Sequence, residues 1–384
     1  MRRAGSNAPA GSQERTGLTL TPRALNRALL ARQLLLQRST LGVEAAIEHL
    51  VGVQAQSANP PYFGLWARLV DFTPDALSTL LTRRRAVRLS LMRSTIHLVT
   101  ARDCLVLRPM LQPVQERYLY SGSPYGRRLD GLDLADVMAT ARNLVEDTPR
   151  TTAELGALLQ ARWPGRDATA LAYACRNLLP LVQIPPRGVW ETGGPPNVTT
   201  AELWLSKALD HSGRIDDLIL RYLSAFGPAN AADFQVWSGL TGMRARFESL
   251  RVKLTVFHDE RGKELFDLPH APRPDEETVV SPRFLGEYDN ILLSHVDRTR
   301  IIPVVHRKQI ASRNGQVPGT ILIDGFVGGM WRMVKSRPRA TLRITPFVRL
   351  SKAHRAELIS EGEALLECAA PDARTRNIVF GANE

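Results

Sequence analysis

A chain of 384 residues with 50 lysines and arginines against 38 acids carries a formal charge of +12, and a basic excess of this size favours a polyanionic partner such as nucleic acid. Only six of the basic residues are lysine; a GC-rich genome accounts for that ratio, but not for the excess over acids. Three scattered cysteines without C-x-x-C, and eight histidines without H-x-x-x-H, argue against disulfide frameworks, zinc modules and iron–sulfur clusters, and no apolar run approaches the roughly 18 residues of a membrane span.

The first 16 residues are small and polar with no apolar h-region, which reads as a disordered tail rather than a secretion signal. Thr21-Pro22 then opens a helix, with an apolar stripe through Leu25, Leu29, Leu30 and Leu34. A second helix from Glu44 is expected to end near Gln56, where Asn59-Pro60-Pro61 breaks the chain; a third carries Tyr62, Leu65, Trp66 and Leu69, and a fourth starts at Thr73-Pro74. Val87–Leu91 and Thr95–Val99 alternate around a tight Met92-Arg93-Ser94, the pattern of a β-hairpin. Helices followed by a hairpin make a winged helix.

The pattern recurs twice. Thr151–Glu154 is a capping box opening a helix; a helix over 168–179 follows, then strands Leu181–Ile184 and Val189–Thr192. Helices from Ile215 to Phe226, Ala231 to Ser238 and Gly242 to Leu250 precede strands at 254–257 and 264–268. Beyond a Pro- and acid-rich linker (270–282), segments 300–303, 319–326, 331–334 and 341–347 read as strands, with Gly328-Gly329 turning a hairpin, and a final helix runs over 351–369. The fold class is therefore α+β: three tandem winged-helix units plus a C-terminal β-rich domain. The boundaries are 1–17 for the tail, 18–142 for the first unit with a connecting helix, 143–210 for the second, 211–274 for the third and 275–384 for the last domain.

Gln54 and Gln56 stand two residues apart beside the breaker. Their plain reading is a solvated helix terminus; their sharper one is a water-positioning pair in an active site. On the hairpin, Arg93 suits a phosphate, with Thr95 beside it, and His97 reads either as a half-buried strand histidine or as a site residue. Glu287-Tyr288-Asp289-Asn290, Ser294-His295 and Asp297-Arg298 pack polar groups among apolar ones, as an internal network fixing a domain contact would. Trp331 and Arg332 belong either to a core hairpin or to one that probes a duplex. The signatures G-x-x-x-x-G-K-[ST], G-x-S-x-G and a ribose-binding G-x-G-x-x-G are absent, so nucleotide hydrolysis, acyl transfer and dinucleotide redox chemistry have no foothold.

Val53-Gln54-Ala55-Gln56 followed by Asn59-Pro60-Pro61-Tyr62 resembles the Q-x-Q signature of AlkZ-type DNA glycosylases, and Arg93-Ser94-Thr95-Ile96-His97-Leu98-Val99 resembles their R-x-T-x-H-L-V hairpin. Glu287–Asn290, Ser294-His295, Ile323–Phe326 and Trp331 also fit, so the resemblance runs from about residue 18 to the end. It implies three winged helices around a DNA channel and excision of N-alkylated purines, including unhooking of N7-alkylguanine interstrand cross-links as self-resistance to a DNA-alkylating natural product. Relatives with Q-x-D act on simpler alkylated bases, so Gln56 favours the cross-link branch.

On this reading the catalytic residues are Gln54 and Gln56, and the DNA-binding residues are Arg93, Thr95, His97, Arg298, Trp331 and Arg332. No metal or cofactor is expected. The partner is double-stranded DNA carrying alkylated purines or cross-links, met by a cytoplasmic, nucleoid-associated monomer with no membrane contact. A glutamine amide does not titrate usefully, so the pair can assist only a leaving group that already departs easily, as a cationic alkylpurine does. The absence of a nearby lysine argues against Schiff-base lyase chemistry, and a bulky cross-link favours an open cleft over base flipping. The competing class is a non-enzymatic winged-helix DNA-binding regulator.

Overall fold

The computed structural model describes residues 18–310 and 316–381; the expected tail lies outside them. Helices and strands mix in an α+β architecture with three sheets. The first helix is Pro22–Arg32, capped as expected by Thr21, whose Oγ1 accepts from Ala24 N at 3.0 Å. It stops short of Leu34, which takes a left-handed φ of 57°. The hairpin of the first unit is Ala86–Ser90 paired antiparallel with Ile96–Thr100. In the second unit the capping box forms at Thr151 and Glu154, opening the helix Thr152–Arg162. In the third, strands Thr255–Asp259 and Glu264–Asp267 pair, and Thr19–Leu20 adds to that sheet in parallel.

Several expectations are corrected. The segment 189–192 is not a strand; Leu181–Gln183 pairs instead with Asn197–Thr200, because the loop through Gly188 wraps Arg88. Residues 300–303 form a turn whose carbonyls serve other elements, Arg300 O accepting from Asn26 Nδ2 at 2.7 Å. The C-terminal hairpin turns at Asp324-Gly325, not at Gly328-Gly329, which lie inside the strand Phe326–Ser336. That strand pairs with Arg339–Pro346. The strands Arg283–Leu285 and Thr375–Phe380 were not anticipated; they complete a five-stranded sheet against the helix Lys352–Ala369.

One sheet positions the site. Its six strands run Val53–Gln54, Ile96–Thr100, Ala86–Ser90, Leu181–Gln183, Asn197–Thr200 and Arg150–Thr151, so the hairpins of the first and second units are continuous, with Arg88 opposite Gln183. Gln54 is therefore on a short edge strand, in register with His97, rather than at a helix end; the helix before it closes at His49. The packing divides differently from the strands. One hydrophobic core joins the first unit, the third unit and the C-terminal sheet, while the helices of the second unit enclose a core of their own around Val137, Leu155 and Leu171.

Buried ion pairs tie the large core together. Arg32 meets Asp267 of the third unit at 2.6 and 2.8 Å. Arg68 meets Asp289 of the C-terminal domain at 2.7 and 2.8 Å, both side chains nearly sealed from solvent. Removing one member leaves the other charge desolvated and alone. Asp289→Ala is expected to cost about 3–5 kcal/mol, read as a lower urea midpoint, and the double change Arg68→Met, Asp289→Leu to recover most of it.

Candidate active site

The site begins with a two-residue edge strand whose outer side has no backbone neighbour. Asn290 fills that role: its Oδ1 accepts from Gln54 N at 3.1 Å and its Nδ2 donates to Gly52 O at 2.8 Å. The Asp289–Arg68 pair next to it holds Asn290 in place, so of the expected polar network Asp289 and Asn290 tie this segment to residues 52–68. Beyond the strand, Arg88 grips the loop. It is 1 % exposed, and it donates to Ala55 O at 2.8 Å and Ser57 O at 3.2 Å, the carbonyls on either side of Gln56, and to Gln183 Oε1 at 3.3 Å. Burial, with Arg187 nearby, pushes its pKa down to about 10, so the cation persists at neutral pH.

Gln54 is 5 % exposed, and its Oε1 accepts from Arg93 Nη2 at 2.7 Å. Gln56 is exposed, and its Oε1 accepts from Ile96 N at 3.3 Å. The turn carrying Arg93 is where three units meet. Arg93 and Ser94 take left-handed φ of 55° and 53°, Ser94 Oγ donates to Asn177 Oδ1 of the second unit at 2.9 Å, and Arg93 Nη1 donates to Trp237 O of the third. A Cβ on Gly239, whose φ is +86°, would stand 3.1 Å from Arg93 N, so glycine is needed there for the close approach.

His97 faces the same side of the sheet as Gln54, since directly opposed antiparallel residues share a face. It is 0 % exposed. A carbonyl can only accept, so Nδ1 donates to Thr95 O at 3.0 Å and the buried Nε2 is the lone-pair nitrogen, with no partner among the described residues. Burial, then the Arg93 charge, pushes its pKa down to about 3.

These placements correct part of the expected DNA-binding set. His97 is sealed inside the sheet and cannot touch DNA. Trp331 is also interior: it is 8 % exposed, packs edge-on against Phe63 and Phe284 at 5.1 and 5.8 Å, and donates from Nε1 to Leu285 O at 2.8 Å, so it is a wall and not a wedge. Thr95 turns its hydroxyl to Met92 O at 3.0 Å. Arg298 is half-buried beside Arg93, whose pKa its charge helps depress, and no acid pairs with it among the described residues. Arg332 is exposed on a cleft of about 660 Å³ bordered by Ser57, Phe63, Arg187, Glu287 and Trp331.

Sequence reasoning missed Arg88 and Trp237. A strand arginine in an alternating run reads as solvent-facing, and a backbone carbonyl acceptor leaves no trace in residue identity. Among the described residues no group of histidines, cysteines and acids is placed to hold a metal ion, and no helix is long and apolar enough to cross a membrane.

Three comparisons bear on what this site belongs to. A family model described as "DNA glycosylase AlkZ-like" matches residues 47–368. Among solved structures, the Streptomyces sahachiroi DNA glycosylase AlkZ superposes with a TM-score of 0.76 at 18% identity, covering 95% of this chain and 100% of that one; at this identity the likeness establishes the fold. No curated protein matches the sequence.

Because His97 is neutral when folded, its stabilising contribution is complete above its ordinary value near 6.5 and is lost as pH falls from there toward 3. Between pH 7 and 5 this amounts to about 2 kcal/mol. A His97→Gln variant is expected to lose less stability than the native chain over that interval, by about that amount, in chemical denaturation at the two pH values.

Proposed function

This chain belongs to the AlkZ-like DNA glycosylase family, an enzyme of DNA repair whose partner is DNA, and on that premise we propose that it hydrolyses the N-glycosidic bond of N-alkylated purines, N7-alkylguanine interstrand cross-links among them. The observation that carries the proposal is that neither glutamine is bonded to a general base among the described residues. Gln54 and Gln56 are held by a guanidinium and a backbone N–H, neither of which accepts a proton, and the histidine opposite stays uncharged.

Such a site cannot deprotonate water strongly. It suits a substrate in which alkylation has made the purine cationic, so that the base departs without an acid. The remaining work is to hold a water at C1′ and to stabilise charge on the sugar, which oriented amide dipoles do in a preorganised setting. Monofunctional hydrolysis follows, with water as the nucleophile. The exposure of Gln56 and the open cleft beside it favour a lesion approached in the duplex, and so a bulky cross-link. The monomer and self-resistance to an alkylating natural product belong to the same proposal. Arg298 and Arg332 supply phosphate contacts.

Incubating the protein with duplexes containing 7-methylguanine or an N7–N7 cross-link, then heating in alkali, tests this. Strand breaks at the lesion are expected with the native chain, and single-turnover rates reduced roughly a hundredfold or more in Gln54→Ala and Gln56→Ala. DNA binding without breaks would instead mark a non-enzymatic regulator. Arg298→Ala is expected to weaken binding to damaged and intact duplex alike and to lower the salt slope of log K by about one.

A further inference from the structure

Arg93 is placed at great structural effort for a residue that pairs with no acid among the described residues. Its left-handed turn is held from the second unit through Ser94 and Asn177, and its guanidinium from the third through Trp237 O. The other terminal nitrogen stops 2.7 Å from Gln54 Oε1. A guanidinium has donors only, so the atom of the amide that faces it is the oxygen. The Gln54 amide is therefore fixed with Nε2 and its two N–H groups as the free face, and among the described residues nothing accepts from them. Gln56 is the complement: its oxygen receives one backbone N–H at a long 3.3 Å, and its second lone pair is open.

We propose that Arg93 is a positioning residue that locks the Gln54 amide, and that the two glutamines consequently have different roles, Gln54 donating to the attacking water and Gln56 accepting from it. A water approaching C1′ uses one lone pair for the new C–O bond. An N–H from Gln54 engages its other lone pair, and the Gln56 oxygen takes one of its protons into a hydrogen bond. As the C1′–N bond breaks, its electron pair leaves with the alkylpurine, whose positive charge is thereby neutralised. The added water releases one proton to solvent. Arg93 also draws density from the Gln54 carbonyl, which strengthens the N–H donors. This assignment rests on the glutamine pair being catalytic, and it moves Arg93 from the phosphate contacts to the chemistry.

The test compares single-turnover rates at saturating protein on a 7-methylguanine duplex with the salt dependence of binding by fluorescence anisotropy. The variants are Arg93→Met, Arg93→Lys, Gln54→Ala, Gln54→Glu and the double change Arg93→Met, Gln54→Ala. Arg93→Met is expected to slow base release about as much as Gln54→Ala, with the double variant no slower than either single and the salt slope of binding unchanged. Gln54→Glu keeps an oxygen toward Arg93 but removes the donors, and is expected to be as slow as Gln54→Ala. Should Arg93→Met not fold, Arg93→Lys, which keeps the charge but not the planar fork that bridges Trp237 O and Gln54 Oε1, is expected to be slowed to an intermediate rate at native thermal stability. A saturated rate unchanged in Arg93→Met or Arg93→Lys, with the salt slope lower by about one, would make Arg93 a phosphate contact and overturn the proposal. Losses that multiply in the double variant, or an active Gln54→Glu, would do the same. If Gln54→Ala itself retains activity, the reading of the glutamine pair fails first, and the two failures are thus distinct.

Discussion

A sheet edge completed by a side chain is the constraint on which this site depends. The strand bearing Gln54 has two residues and one strand neighbour, too little to fix a side chain well. The Asn290 amide supplies the missing side by donating to Gly52 O and accepting from Gln54 N. Asn290 is fixed in turn by its neighbour Asp289, buried against Arg68. The C-terminal domain thus sets the geometry of a strand in the first unit, across more than 230 residues of chain.

The arginine content takes on a different meaning in this light. Arg27, Arg32, Arg68, Arg88, Arg108, Arg283 and Arg300 are buried, and several of them bind backbone carbonyls rather than acids. Arg108 donates to Asn177 O and Leu179 O, Arg300 to Pro228 O, and Arg88 to the glutamine loop. The planar fork with five donors satisfies several carbonyls at once, which lysine cannot do. Part of the basic excess therefore works as internal scaffolding, and only the remainder is left for other partners.

Local chemistry was readable from the chain; distant pairing was not. The Thr21 and Thr151 caps, the first hairpin and the helices of the third unit follow from caps, breakers and periodicity, and the structure has them where those signals put them. The strand partner of Leu181–Gln183 is not legible because residues 189–192 look like a strand but belong to the loop after Gly188, where Trp190 packs on Tyr62 and Phe63. Gln54 reads as a helix end because Ile47–Val51 continues an apolar period, whereas the left-handed Val51 (φ 55°) and Gly52 (φ 88°) end the helix before it. Trp331 and His97 admit both a core and a DNA-facing reading by residue type, which does not report burial. Residue identity is equally silent on Trp237 O and on the fusion of two hairpins into one sheet.

A pair of uncharged amides has a consequence for the rest of the genome. On the proposed chemistry the enzyme brings no proton to the leaving base, so an intact guanine, neutral and firmly attached, gains almost nothing from lying in the cleft. Discrimination then resides in the reactivity of the lesion more than in its recognition. An enzyme built this way can afford an open, permissive binding surface, because undamaged DNA protects itself.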